Sequence, residues 1–314
     1  MTFMKKLSLS AAAIALLTAA PAAVYAQETS SSLRGSVTDG AGNALSGASI
    51  TILHTPSGSV SRTSTGVNGG FSSSGLRVGG PYNVTITADG FQPRRVEGVF
   101  LSLGESMSLN LEMSAVSGTT DIVVVTASAI QAMNTAVGPN STFSLSDLQE
   151  TPSINRALAD VVRQDPRVYI DESFNDSIQC AGANPRYNSL TVDGLGLNDG
   201  FGLNSNGYPT QRMPFSYDAI EQVSVELAPF DVEYGGFTAC NINAVTKSGT
   251  NEFRGGVFYD YTSDAFQGDS LEGSSFTVPE YDQKRYGITF GGPIIQDRLF
   301  FFAAYERFEG IDIF

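Results

Sequence analysis

The chain has 314 residues, of which 16% are charged and 33 are glycine, with a net charge of −14 and a pI near 4.4. That length is enough for two domains, and the glycine and strand-former content leans toward β-structure with many turns. The acidic balance excludes nucleic-acid binding, which needs basic patches.

Lys5 and Lys6 form a positive n-region ahead of an apolar run from Leu7 to Ala20, too short to span a bilayer comfortably. Val24-Tyr25-Ala26 then sets small residues around a cleavage point. Residues 1–26 therefore read as a secretory signal peptide cut after Ala26. No other stretch reads as a transmembrane helix. Export leads to an oxidising compartment, where Cys180 and Cys240 can pair. Closing their roughly 60-residue loop would stabilise by about 4 kcal/mol in the chain-entropy account. Two unpaired buried thiols are the alternative. With His54 as the one histidine, a tetrahedral zinc site cannot be filled.

Residues 32 to 114 carry short strand-like runs. Tyr82 to Ala88 alternates, with Val84, Ile86 and Ala88 on one face, and Ser108 to Met113 alternates likewise. Asp39-Gly40, Asn68-Gly69-Gly70 and Asp89-Gly90 supply the turns. About seven strands at this spacing predict a small β-sandwich. The stretches GSVTDGAGNALSGASITI, GGFSSSGL and YNVTITADGF resemble the carboxypeptidase regulatory-like domain. The resemblance implies a non-catalytic Ig-like module over 27–114.

Residues 115–142 read as a linker, yet they hold DIVVVTAS, Asp121 to Ser128. An uncharged β-branched run with no proline is an aggregation hazard if left exposed. Two fates are open. The run is a further strand of the sandwich, or it is kept free so that a partner can pair with it.

Residues 143–250 read as a compact α+β domain. Thr151-Pro152 predicts a helix start, and Ile154, Leu158, Val161 and Val162 share one face. Asp165-Pro166 ends that helix. Strands are predicted at Ser189–Val192, Val223–Leu227 and Asn241–Thr246, between Gly/Asn-rich loops. An enzyme reading finds no support here. His54 lies in the sandwich, so this domain holds no Ser-His-Asp triad. Gly194-Leu195-Gly196 lacks the third glycine of a dinucleotide loop. Asp231 and Glu233 read as solvated charges rather than a catalytic pair, and 198–207 lacks the acidic spacing of a calcium loop. No cofactor is implied.

From Asn251 the pattern changes. Phe253, Val257, Tyr259 and Tyr261 share one face of a run, and Arg254, Asp260 and Thr262 the other. A polar loop, 263–280, leads to a second run, Tyr281 to Gly291, with Tyr286, Ile288 and Phe290 on one face. A tight connection, Gly292 to Arg298, leads to Leu299–Tyr305. Aromatic runs of about ten residues, joined alternately by a long loop and a short turn, mark a transmembrane β-barrel. Three strands cannot close, and an open edge in lipid leaves backbone groups unpaired. The barrel, begun at 251–314, is expected to continue beyond the sequence.

In this order the stretches DIVVVTAS, NPRYNSLTVDGLGLNDGFG, AIEQVSVELAPFDVEYGGFTACNINAVTKSGTNEFRG and YGITFGGPIIQDRLFFFAAYERFEG resemble a TonB-dependent outer-membrane receptor. The leading sandwich points to the Oar-like branch. The implied fold is mixed: an Ig-like sandwich, an α+β plug domain, and the first strands of an antiparallel barrel in outer-membrane lipid. The implied location is the outer membrane of a Gram-negative bacterium, with the N-terminal domain and linker periplasmic. The implied function is uptake of an extracellular ligand through a plugged barrel. Asp121, Ile122, Val123, Val124, Val125 and Thr126 would be left unpaired for TonB and its inner-membrane energising complex. Arg186, Asp193 and Gly194 fall on structural positions of the plug, with Arg186 buried against barrel carboxylates. Ala239-Cys240 departs from an expected pair of glycines and, with Cys180, suggests a plug disulfide. Asn198, Asp199, Asn204 and Asn206 mark a ligand-facing loop. An exported adhesion protein that binds through its sandwich is the alternative. The substrate is not legible.

Overall fold

The computed structural model describes residues 29–116, 122–127, 133–136, 138–153, 156–174, 176–204, 207–210, 213–229 and 235–311. The signal peptide, Asp121, Ile154, Asn206, Asp231 and Glu233 lie outside them.

The sandwich is built from β1 (Ser31–Asp39), β2 (Ser49–His54), β3 (Ser59–Ser64), β4 (Gly70–Leu76), β5 (Gly79–Thr87), β6 (Arg94–Leu101), β7 (Glu105–Ser108) and β8 (Leu111–Met113). The linker adds β9 (Val123–Thr126) and β10 (Met133–Ala136). One sheet runs β10-β7-β1-β4 with β8 also on β1, and the other runs β3-β2-β5-β6-β9. The alternation read in β5 sets its core face. Val84 and Ile86 are fully buried and stand opposite Ile52 and Ile50 of β2. Each such side chain contributes about 1.5–3 kcal/mol by leaving water.

The run Ser108–Met113 was expected to be one strand, but it breaks into β7 and β8. Both pair in parallel with β1. At the break Leu109 donates its N–H to the Arg34 carbonyl, and Asn110 Oδ1 accepts the Ser36 N–H. Gly35 makes this crossing possible. A Cβ built there would lie 1.8 Å from the Leu109 carbonyl oxygen.

The second domain contains β11 (Asn140–Phe143), α1 (Leu145–Glu150), α2 (Leu158–Val162), β12 (Val168–Asp171), β13 (Ser177–Cys180), β14 (Ser189–Val192), β15 (Leu195–Gly196), β16 (Ile220–Leu227) and β17 (Cys240–Thr246). Its main sheet runs β11-β16-β17-β14-β15, with β12-β13 as a separate pair. The core gathers Leu158, Val161 and Val162 with Ile178, Leu190, Val223, Val225 and Ile242. The helix start read at Thr151 is corrected. Thr151 is the C-cap of α1, which begins with a capping box between Ser144 and Asp147. Pro152 favours an extended Thr151, observed at ψ 122°, and helix resumes only at Leu158.

The third part pairs β18 (Arg254–Ser263) with β21 (Asp282–Ile295), and β21 with β22 (Leu299–Ile311). The intervening loop carries a small hairpin, β19 (Ser270–Leu271) and β20 (Ser274–Ser275). The register sets Val257, Ile288 and Tyr305 side by side on one face, each more than half exposed. Phe253 stacks on Phe290 at 5.9 Å, and Phe290 meets Phe301 at 5.5 Å. The aromatic face predicted for lipid is thus continuous across the three strands.

Candidate functional site

The segment expected to be unpaired is paired. Val123–Thr126 lies as β9 in parallel with Arg94–Glu97 of β6, and the Val123 N–H donates to the Pro93 carbonyl at 2.9 Å. Val125 and Ala127 pack against the sandwich core. The physical reason is that β6 would otherwise end its sheet with an open ladder, and a β-branched run nearby satisfies it. The fit is shallow: Ile122, Val123 and Val124 remain 46%, 41% and 54% exposed. β9 is the last strand of its sheet.

In the second domain Cys180 and Cys240 are bonded, with Cα atoms 5.9 Å apart, tying β13 to β17. Asp193-Gly194 forms the turn between β14 and β15, with φ of +49° and +77°, as a tight hairpin turn requires. Asp193 accepts from the Thr246 N–H at 2.9 Å and the Thr246 hydroxyl at 2.7 Å, fixing this turn to β17.

Arg186 does not take the expected place. It is exposed and donates to the Gly202 carbonyl at 2.6 Å. A different arginine, Arg156, contacts the barrel strands. Its guanidinium lies 3.7 Å over the Phe258 ring and pairs with Asp218 at 2.5 Å. Nearby, Ser216 donates to Glu306 Oε2 at 3.0 Å, and Glu306 faces Arg285 at 3.8 Å. Sequence reading missed Arg156 because nothing in the local pattern distinguishes it. Its partners come from β18 and the loop before β16.

Among the described residues of the 198–207 loop, the polar side chains of Asn198, Asp199 and Asn204 are engaged internally. Asn198 accepts from the Leu190 N–H and donates to the Asn188 carbonyl. Asp199 accepts from the Phe201 and Asn204 amides, and the bond from Asn204 foremost holds its carboxyl below the usual range. Asn204 donates to the Tyr208 carbonyl. Among the described residues of the loop, Phe201 and Leu203 face outward, 91% and 84% exposed.

The sandwich is docked on the second domain. Gln222 of β16 accepts the Leu103 N–H at 2.9 Å and donates to the Leu101 carbonyl at 3.2 Å. Val78, Leu103 and Val245 form an apolar contact beside it. The Asn251 N–H donates to the Pro56 carbonyl, and Asn251 also meets Asp297 in the turn between β21 and β22. A cavity of about 420 Å³ lies at this junction, lined among others by His54, Arg77, Glu221, Lys247 and Thr289. Burial pushes the Glu221 carboxyl up and the Lys247 amine down, each partly offset by the other's charge. Burial, aided by Arg77, lowers His54 to about 4. Ser57 Oγ lies 2.7 Å from His54 Nδ1, but it is fully buried and cannot meet a substrate. Among the described residues no cluster of three or more His, Cys, Asp or Glu could hold a metal.

Residues 32–114 match the carboxypeptidase regulatory-like domain, 132–240 the TonB-dependent receptor plug domain, and 245–311 an outer membrane beta barrel domain. The chain is 34% identical over 141 residues to the TonB-dependent transporter Oar of Myxococcus xanthus, covering 43% of this chain and 13% of that protein. Among solved structures it is similar to the outer membrane transporter YddB from Escherichia coli, with 16% identity, a TM-score of 0.44, and coverage of 55% of this chain and 26% of that one. It is similar also to the siderophore receptor PirA from Acinetobacter baumannii, with 23% identity, a TM-score of 0.42, and coverage of 54% and 24%.

Proposed function

We propose that the chain is part of a TonB-dependent outer-membrane receptor, that it takes up an extracellular ligand through a plugged barrel, and that it is energised by TonB pairing with Asp121–Ser128. The outer membrane holds no nucleotide pool, so work must reach it mechanically. A strand added to a partner's sheet carries load along many backbone hydrogen bonds at once. One observation carries this reading: an uncharged, extended Val123–Thr126 strand ends its sheet just ahead of the plug. The plug contacts the barrel wall through Arg156 and Glu306, which are polar groups able to exchange their partners for water. The 198–207 loop is the ligand-side candidate, with Phe201 and Leu203 rather than its amides as the contact groups. The sandwich and linker are periplasmic in this reading.

The test is Val124→Pro in the whole receptor, with outer-membrane level measured alongside. Proline removes an N–H and cannot serve a central ladder position. Binding of a purified periplasmic fragment of TonB should be lost while receptor abundance holds. Undiminished binding in this variant would sink the assignment of the segment.

A further inference from the structure

The edge that β9 offers is unusual for a periplasmic domain. Natural sheets blunt their edges with charge, proline or bulges. At the far edge of the same sheet, β3 reads SVSRTS, polar and carrying Arg62. At the near edge the run Ile122 to Ala127 reads IVVVTA, with no charge and no proline. Its inner side is held along β6, and the chain upstream is held too. Gln92 donates to the Ser114 carbonyl, and Val116 donates to the Gly90 carbonyl. In a parallel ladder successive residues turn their amide groups to opposite sides. Val123 turns its N–H toward β6, so Val124 turns its own away.

We infer that the regulatory-like sandwich presents the segment as a ready-made edge strand, and that TonB adds the next strand to this sheet. The inference rests on the reading of Asp121–Ser128 as the TonB-binding segment and assigns the sandwich a part in that contact. β6 holds one side of the strand and TonB takes the other. The sandwich meets the ordering cost in advance, which is the general benefit of preorganisation. The contact is also joined to the plug by a second route. β6 ends at Leu101, whose carbonyl is bound by Gln222 of β16.

The register supplies the test, because Arg95 stands opposite Val124. Arg95→Cys with Val124→Cys in the full receptor should form a cross-link under mild oxidation. Arg95→Cys with Thr126→Cys, out of register, should not. Side chains leave the sheet by its faces, so this bond spares the outer backbone edge. The oxidised receptor should bind a purified periplasmic fragment of TonB within about twofold of its reduced form, since the segment is already in its competent state. The native disulfide is fully buried and is spared by the mild reductant used. Absence of the in-register cross-link overturns the placement on β6. A loss of binding beyond about tenfold on oxidation overturns presentation and means that the strand must leave β6 first. Failure of wild-type, reduced and oxidised receptor alike to bind overturns the TonB reading itself, and with it this inference.

Discussion

Replacing Gln222 by methionine keeps length and volume while removing both polar atoms that join sandwich to plug. Gln222 is 5% exposed, and its partners Leu101 and Leu103 are 1% and 0% exposed. The Leu103 N–H and the Leu101 carbonyl would each lose a bond, of 2.9 Å and 3.2 Å. An unsatisfied buried group costs about 1–3 kcal/mol, so with two such groups the docked arrangement should weaken by about 2–6 kcal/mol. The apolar contact of Val78, Leu103 and Val245, and the bond from Asn251 to Pro56, would remain. Hydrogen exchange on the whole receptor reads the effect at the Leu103 amide. If that amide exchanges through local undocking, its protection should fall by a factor of roughly 30 or more, while β2 and β5 in the sandwich core keep theirs. Unchanged protection at Leu103 would refute the claim that Gln222 joins the two domains.

His54 reports on the sandwich by acidity. Its folded pKa is about 4 against an ordinary 6.5, so its contribution is intact above pH 6.5 and is lost as pH falls from 6.5 to 4. The loss amounts to at most about 3 kcal/mol. Exchange at β2 across that window should steepen in the wild type relative to His54→Phe, which retains a ring beside Tyr82. Gly35→Ala drives a Cβ into the Leu109 carbonyl and should destabilise the sandwich by about 3 kcal/mol, the upper end of the overpacking range, seen as protease sensitivity of residues 30–114. Substituting Cys180 and Cys240 together by alanine releases a 60-residue loop and should weaken the plug by about 4 kcal/mol, measured as faster exchange in β14 and β17. A variant with unaltered exchange would show that the surrounding core alone fixes these strands.

Periodicity carried much of the fold. The buried face of β5 and the exposed aromatic face of the barrel strands follow from parity alone, because side chains alternate strictly along a strand. Asp193 and Gly194 were legible only as structural positions of the plug, and the turn they form, with its positive backbone angles, was not anticipated. What failed depended on distant partners. Ser108–Met113 alternates as one strand, but the crossing at Gly35 divides it. Thr151 has the chemistry of an N-cap, yet the capping box at Ser144 claims the preceding turn. The strand character of Val123–Thr126 was plain. Whether it pairs inside the protein was not, because β6 lies far upstream and the local pattern suits either fate. Arg186 and Arg156 differ only in what the fold brings beside them. The amides of Asn198 and Asn204 looked available because their internal partners, such as the Leu190 N–H and the Tyr208 carbonyl, are invisible until the loop closes.

The bond between Cys180 and Cys240 also has a mechanical meaning. If TonB pulls on the segment as proposed, tension entering the chain near residue 123 draws out only the stretch ahead of Cys180 before it meets a covalent stop. From there the load passes directly to Cys240 and on to β18, bypassing a loop of 60 residues. At about 3.4 Å per extended residue, roughly 200 Å of contour is withheld from the pull. In that reading the disulfide sets a built-in limit to the travel of the chain. Hard pulling can unravel α1, α2 and the first strands, but it leaves β14 and β15, with the loop beyond them, inside a closed ring.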